Sequence, residues 1–401
     1  MNGMVIIGAG EAGTRAAFAL REARFCGPVT LIGAEAHLPY ERPPLSKTLD
    51  GAVQMKTICS AAALKAAGID YLPGVSVTQI DTARRHLFLG DGRALFYDSL
   101  LLATGARPRR LVCPGAERAL EFRTFADAAA IFSRAKAGAS VAIIGGGLIG
   151  MELAAVLRGR GMSVSIIEAA AKPLGRAVPA RFAASLYARH LEEGVRFHLG
   201  KGVAEIASDA VVFADGTRVS ADIVVAAIGV VPDTALAGAA GLAVGNGILT
   251  DAFLRTSDPH ILAAGDCAAI ARPGGGPMRF ESWRNARRQA ETAARNMTGA
   301  SETFAAIPWF WSDQYDLGLQ VAGLPLPEHQ IVLRRLGEGA LEFYLDGGRL
   351  VAAAGLGIGT SLAREIKLAE MLIAADISPD PANLADPAVN LKALLKSARA
   401  A

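Results

Sequence analysis

The sequence predicts an α/β chain in which two parallel-sheet domains are followed by a smaller α+β domain. Three observations carry that prediction. Two glycine-rich turns, Gly8-Ala-Gly10-Glu-Ala-Gly13 and Gly145-Gly-Gly147-Leu-Ile-Gly150, stand 137 positions apart. Each follows a short apolar run and opens an Ala/Leu-rich stretch, the order strand, turn, helix. From about residue 307 the pattern changes to short alternating strands and one final helix.

The first unit reads as a strand at Met4–Ile7, a helix over 14–20 and a second strand over 29–32. The second reads as a strand over 141–144, a helix over 148–160 and a strand over 163–167. Both are βαβ units, and the glycine spacing has a physical reason. The first glycine (Gly8, Gly145) permits the tight turn out of the strand. The second (Gly10, Gly147) lets backbone approach a pyrophosphate, and the third (Gly13, Gly150) lets helix and strand pack closely. A diphosphate then meets the N-terminal N–H groups and the dipole of the helix, with Leu148 and Ile149 as the first helical residues of the second turn. One such string is weak evidence among 44 glycines in 401 residues. Two in βαβ context predict two Rossmann-like domains, arranged as in glutathione-reductase-like FAD/NAD proteins: a flavoprotein fed by a nicotinamide.

Acidic residues narrow the cofactors. Glu168 ends the second βαβ strand, 18 residues after Gly150. A carboxylate there accepts ribose hydroxyls and repels a 2′-phosphate, which favours NADH over NADPH. The first unit ends Ile32-Gly-Ala-Glu35, making Glu35 the ribose candidate for FAD.

The remaining strands and turns set the domain boundaries. A buried strand runs into Ala103-Thr104-Gly105, and a second strand-then-glycine pattern ends at Gly229. The run Ile261-Leu-Ala-Ala-Gly265-Asp266 is an apolar strand stopped by Gly-Asp. An Asp there can accept a hydrogen bond from a ribitol hydroxyl, and the helix after it could point its N-terminus at the flavin ring. The expected organisation is a split FAD domain at 1–109 and 240–306, an NAD domain at 110–239 and a C-terminal α+β domain at 307–401. The last has strands over 318–322, 330–336, 340–345 and 350–354 and a helix over 361–374.

Composition excludes several classes. With 52% hydrophobic and 20% charged residues the chain reads as a compact soluble enzyme, and a net charge of +3 is too small to suggest nucleic acid. No apolar run reaches the roughly 18 residues of a membrane span. The first strand begins almost at Met1, so no signal peptide is expected and a cytoplasmic location follows. Arginines cluster at 107–110, 284–288 and 334–335, and such runs are most often solvated faces. Four scattered cysteines, Cys26, Cys59, Cys113 and Cys267, form no CxxC or CxxxxC, so neither a disulfide framework nor a redox dithiol is encoded locally, and they lack the spacing of iron-cluster ligands. Where thiol-relay flavoenzymes carry that dithiol, this chain has Pro39-Tyr-Glu-Arg-Pro-Pro-Leu-Ser-Lys47.

The motifs G-x-G-x-A-G, R-P-P-L-S-K, L-A-T-G-A-R-P-R, G-G-G-x-I-G-x-E, T-S-D-P-x-I-x-A-x-G-D-C and P-W-F-W-S-D-Q-Y together resemble the NADH-dependent ferredoxin reductases of bacterial oxygenase systems. The resemblance covers nearly the whole chain. It implies that Ala12 lies beside the FAD diphosphate, Arg42 and Lys47 of the second motif serve the flavin, and Val77 lies at the adenine end. Arg123, Asp266 and Trp283 are further implied flavin contacts. Trp283 departs from an aliphatic residue found in some members, and Ala34 stands where a member carries an acid, which leaves the ribose contact to Glu35.

On this reading a hydride passes between stacked nicotinamide and flavin rings, so the protein positions and tunes rather than abstracting a proton. Glu152 and Lys47 are the catalytic candidates, expected to pair beside the rings. Reduced FAD holds two electrons and a [2Fe-2S] ferredoxin accepts one, so the expected partner is an acidic ferredoxin, bound transiently and served twice. A cytochrome P450 or Rieske-type oxygenase stands behind it, the tryptophan-rich motif leaning toward P450 systems, and the chain itself is a monomer or weak dimer. Trp309, Phe310 and Trp311 are read either as an exposed docking patch or as a buried hinge. Arg284, Arg287 and Arg288, on an expected helix after Trp283, would steer an acidic partner. Two alternatives stay open: an apoptosis-inducing-factor-like flavoprotein whose binding is gated by NADH, and a thiol/disulfide-type NADH oxidoreductase.

Overall fold

The computed structural model describes residues 3–175, 178–272 and 275–400. Contacts divide the chain into two compact units. One holds Met1–Pro44, Gln54–Arg107 and Val230–Ala306, and the other Leu45–Val53, Pro108–Gly229 and Ile307–Ala401. Two groupings differ from the sequence expectation. Residues 307–401 group with the second dinucleotide fold instead of standing alone, and the segment 45–53 groups there too. The reason for the latter is visible in its contacts: the Ser46 hydroxyl bonds Glu152, and the Arg160 guanidinium donates to the carbonyls of Thr48 and Gly51. The second border falls at 229/230 instead of 239/240, because Asp233 is tied to the first unit by its N–H to the Gly105 carbonyl and its own carbonyl to the Thr104 hydroxyl.

The first unit is built on a five-stranded parallel sheet in the order Ile261–Ala263, Ser99–Leu102, Met4–Ile7, Val29–Gly33, Ile69–Pro73. Parallel strands buried on both faces read as continuous apolar runs, as Met4-Val-Ile-Ile7 does. Side-chain alternation sends Met4 and Ile6 toward the helices Glu11–Glu22 and Trp283–Met297, where they meet Ala12, Ala16, Leu20 and Ala290. Val5 and Ile7 face the opposite core with Leu87, Leu102, Ile248 and Ala263. Ile6 is fully buried, a contribution of about 1.5–3 kcal/mol relative to exposure. The helix after residue 10 extends to Glu11–Glu22, longer at both ends than its apolar pattern indicates.

The second unit repeats the plan with strands Arg196–Leu199, Ser163–Glu168, Ser140–Ile144, Ile223–Ala226 and Leu120–Glu121, all parallel. Its C-terminal part is a five-stranded antiparallel sheet in the order Trp309–Gln314, Leu317–Gly323, Arg349–Ile358, Gly339–Asp346, Gln330–Leu336. The helix Ala363–Ala374 lies on it, and small residues allow the approach: a Cβ on Gly355 would stand 3.2 Å from the Ile366 side chain. Two further helices, Pro381–Ala385 and Leu391–Ala400, follow.

Arg334 is not on a solvated face, as its arginine run suggested. It is 1% exposed and donates to the carbonyls of Leu384 (2.8 Å), Asp386 (2.5 Å), Val389 (2.9 Å) and Asn383 (3.1 Å), pinning the chain around the Pro381–Ala385 helix to the sheet. Among the described residues no helix is long and apolar enough to cross a membrane.

Candidate dinucleotide sites

The two glycine turns have nearly the same geometry. Gly8 has φ +105° and Gly145 φ +113°; a Cβ would lie 2.1 Å from the Ala103 carbonyl oxygen in one and 2.3 Å from that of Ala227 in the other. A Cβ on Gly13 or Gly150 would run into the carbonyl oxygen of the turn's own first glycine, at 1.7 and 2.1 Å. Only the middle glycines differ from this pattern. A Cβ on Gly10 or Gly147 would meet nothing within 4 Å, so each turn leaves an open floor. Gly10 and Gly147 are also the N-caps of their helices, and neither supplies a side-chain cap. The first N–H groups of an uncapped helix are where a diphosphate binds, so both turns fit a dinucleotide.

In the first unit the candidates gather around this floor. Ala103 backs Gly8, and Gly265, at φ +85°, approaches Ala12 so closely that a Cβ there would stand 3.1 Å from the alanine's. The buried Gln289 accepts from the Gly265 N–H at 2.7 Å, which fixes Gly265-Asp266 against the Trp283–Met297 helix. Between Asp266 and the helix after it lies the strand Ala268–Arg272; that helix starts at Trp283, capped by Ser282. A buried apolar run, Ala268-Ala-Ile270, continues there in place of helical periodicity.

Glu35 lies just past the second strand and is already engaged. Its carboxylate accepts from the Arg42 guanidinium at 2.7 Å and the Tyr40 hydroxyl at 2.6 Å, and Arg42 lies over the Tyr40 ring. The Gly74 N–H donates to the Glu35 carbonyl, which brings the segment leading to Val77 beside it. Glu11, inside the first turn, is a residue the sequence pattern passed over. Burial pushes its carboxyl above the usual range, against the opposing pull of Arg287 and the Trp283 indole. An acid beside a diphosphate floor is best tolerated uncharged, and that direction suits one.

In the second unit Glu168 ends its strand as expected. Its carboxylate accepts from the Gly146 and Ala170 N–H groups, both at 2.8 Å, so it is fixed at the rim of the glycine turn. Ile149, the second residue of the helix that Gly147 caps, is 42% exposed. Gly229 has φ +95° and follows Ala227, which backs Gly145 as Ala103 backs Gly8. Arg123 belongs to this unit and precedes a helix held by a capping box of Thr124 and Asp127; its N–H donates to Asp127 at 3.1 Å.

Glu152 and Lys47 also lie in this unit, and they do not form the expected pair. The Lys47 ammonium bonds Asp313 and lies over the Trp311 ring. Glu152 accepts instead from the Ser46 hydroxyl at 2.8 Å and the Ser312 hydroxyl at 2.6 Å. Burial raises its carboxyl above the ordinary value, while Ser312, Ser46 and Lys47 oppose that rise and Asp313 adds to it. Sequence reasoning missed Ser46, Ser312 and Asp313 because they flank singled-out motif residues and bring no unusual chemistry of their own. Trp309 and Trp311 stack at 5.4 Å on an edge strand and are half-buried.

Of the cysteines, Cys26 is exposed, Cys59 and Cys113 are half-buried and Cys267 is buried, and all four are free. Among the described residues no three or more His, Cys, Asp or Glu could hold a metal ion. Two diphosphate floors on two parallel sheets define a two-dinucleotide oxidoreductase. The chain belongs to the family described as pyridine nucleotide-disulphide oxidoreductase, matched over residues 3–290, with a reductase C-terminal domain at 309–395.

Its relatives are more particular. It is 42% identical to the anthranilate 1,2-dioxygenase system ferredoxin–NAD(+) reductase component of Burkholderia cepacia, covering 98% of each chain. It is 38% identical to putidaredoxin reductase of Pseudomonas putida, covering 99% of this chain and 97% of that one. Among solved structures, the covalent putidaredoxin reductase–putidaredoxin complex matches with a TM-score of 0.92 at 35% identity, covering 100% of this chain and 99% of that one.

Proposed function

We propose that this chain is an FAD-dependent NADH:ferredoxin oxidoreductase that feeds a bacterial oxygenase system. Electrons enter from NADH and leave singly to a [2Fe-2S] ferredoxin, which passes them to a cytochrome P450 or a Rieske-type oxygenase. The observation that carries the reading is the matched pair of open, uncapped glycine floors, one in each unit, without a dithiol in the chain. Relatives that serve a dioxygenase and relatives that serve a putidaredoxin-type partner support the destination equally.

When bound, FAD supplies the two-electron to one-electron conversion that the side chains cannot. The first unit's residues would hold it: Gly8, Gly10, Ala12 and Gly13 at the diphosphate, Glu35 with Arg42 at the ribose, Val77 at the adenine end, and Ala103, Thr104, Gly105, Gly265, Asp266 and Trp283 toward the flavin. The resemblance also implies flavin contacts for Lys47 and Arg123. Gly145, Gly147, Leu148, Ile149 and Gly150 hold the NADH diphosphate, Glu168 takes its ribose, and Gly229 lines the path toward the nicotinamide. Glu152 positions the nicotinamide side, with an orientation fixed by Ser46 and Ser312.

The partner is an acidic ferredoxin that docks transiently. Arg287 and Arg288 are 44% and 55% exposed around Glu291, with Arg15 on the same carboxylate. Such a basic rim speeds encounter more than it tightens binding. The setting is cytoplasmic and the enzyme works as a monomer or weak dimer.

The test is direct: purify the chain, record its visible spectrum, and follow cytochrome c reduction by NADH with and without a [2Fe-2S] ferredoxin. A yellow flavin spectrum with ferredoxin-dependent turnover is expected. A protein that stays colourless in added FAD would overturn the reading.

A further inference from the structure

A line of hydrogen bonds runs from the Tyr315 hairpin to Glu152, entirely within the second unit. The Tyr315 hydroxyl lies 3.1 Å from His190 Nδ1, and His190 Nε2 lies 2.9 Å from Gln314 Oε1. The Gln314 amide donates to Ser312 Oγ at 3.1 Å, and Ser312 donates to Glu152 Oε1 at 2.6 Å. Ser46 closes the other carboxylate oxygen. His190, Ser312 and Gln314 are completely buried.

Chemistry fixes the direction of the links from Tyr315 as far as Ser312. The Gln314 Oε1 atom only accepts, so His190 Nε2 must carry the proton. A neutral imidazole then has an acceptor at Nδ1, and Tyr315 must donate to it. The Gln314 amide, oriented by that bond, donates to one acceptor position of Ser312 Oγ, and Ser312 gives its single proton to Glu152. Four donors therefore point one way along the line, which ends, with Ser46 on the other oxygen, on a group that receives two protons. Such an arrangement matches a carboxylate and mismatches a carboxylic acid, which would have to turn one donor around.

Two further observations indicate that the line is built rather than incidental. Tyr315 has φ +56°, the conformation that its two-residue hairpin turn between Gln314 and Leu317 requires, so the turn fixes where its ring stands. Its ring is held edge-on against His190 at 4.8 Å and lies under the Arg189 guanidinium at 5.3 Å. Burial also keeps His190 neutral, lowering its pKa to about 4, as the donor pattern requires. The charged groups near the line are Lys47 and Asp313 at the Glu152 end, and Arg189, Glu193 and Arg158 at the Tyr315 end.

We propose that Tyr315, His190, Gln314 and Ser312 form a one-directional hydrogen-bond relay that favours the ionised form of Glu152, with His190 and Gln314 as positioning residues. The functional consequence rests on the reading of Glu152 as a nicotinamide-side residue, whereas the relay itself is tested without turnover. In the full-length, FAD-loaded, isotope-labelled protein, long-range proton–nitrogen spectra should show one imidazole as the Nε2–H tautomer from about pH 8 to about pH 5, and His190→Asn should remove it. A His190 that carries its proton on Nδ1, or titrates near its ordinary value, overturns the relay.

The second arm follows the Glu152 carboxyl carbon, assigned by its loss in Glu152→Gln. Ser312→Ala should raise its apparent pKa by about one pH unit, the worth of one hydrogen bond to a charged acceptor. Gln314→Glu, which draws the Ser312 proton away, should raise it as well, and Ser312→Thr should restore the wild-type value. Equal titration in wild type, Ser312→Ala and Gln314→Glu overturns the proposal. Unchanged flavin reduction by NADH in Glu152→Gln would instead remove the functional reading and leave the relay standing.

Discussion

Acid should destabilise the second unit through His190, and the size of the effect follows from its burial. Desolvation holds the native imidazole at about 4, against 6.5 for an unstrained histidine, with the Gln314 bond opposing part of the drop. A histidine whose native value lies below its unfolded value is neutral when folded, so the unfolded chain binds more protons in between. Its stabilisation is therefore complete above about pH 6.5 and is lost as pH falls toward about 4. Between about pH 7.5 and about pH 5 the linked free energy comes to about 2 kcal/mol. Urea unfolding of wild type and His190→Asn at both pH values, with FAD in excess, isolates this contribution. Wild type should lose about 2 kcal/mol more than the variant on acidification. Parallel losses, within about 0.5 kcal/mol, would refute the assignment of a buried neutral imidazole.

Three other outcomes follow from the geometry. Gly10→Val should leave folding intact, since its Cβ meets open space, while weakening FAD retention; Gly8→Ala should cut thermal stability, because its Cβ would stand 2.1 Å from a backbone oxygen at φ +105°. Equilibrium dialysis and calorimetry separate the two. Glu168→Ala together with Ala170→Arg should narrow the preference for NADH over NADPH by about tenfold or more in kcat/KM, reflecting roughly 1.4 kcal/mol from removing a repelling charge and adding an attractive one. Arg287→Glu should raise the apparent KM for ferredoxin at low salt and leave dye reduction by NADH unchanged, an effect that fades as salt rises.

The parts of the fold that were legible in the sequence are those where local pattern and tertiary burden agree. Met4-Val-Ile-Ile7 and Val141-Ala-Ile-Ile144 are buried on both faces, so nothing competes with their apolar runs. Gly8, Gly13, Gly145 and Gly150 are glycines because a Cβ would collide with backbone, which is why their spacing can be read at all. The strand after Asp266 was not legible, since Ala268-Ala-Ile-Ala is compatible with either state and only its pairing with Gly247–Thr250 decides. Glu152 and Lys47 could be singled out from motifs, but their partners could not. Ser46, Ser312 and Asp313 come from segments far apart in the chain, and short polar residues carry no periodic signal. His190 was equally silent, sitting alone on an amphipathic helix, where only the fold shows what faces it.

The likeness of the two glycine turns has a kinetic meaning. Their backbone clashes agree to within about half an ångström and both floors are open, so each should grip a diphosphate with similar strength. A flavin retained through many turnovers and a nicotinamide exchanged at every one therefore cannot owe their different residence times to the turns. The off-rates have to be set by what surrounds each floor: on one side Gly265-Asp266, fastened by Gln289, and the Glu35–Arg42–Tyr40 cluster; on the other a carboxylate tied to backbone and an exposed Ile149. Exchanging the two turn sequences between the units should change either dwell time far less than replacing those neighbours.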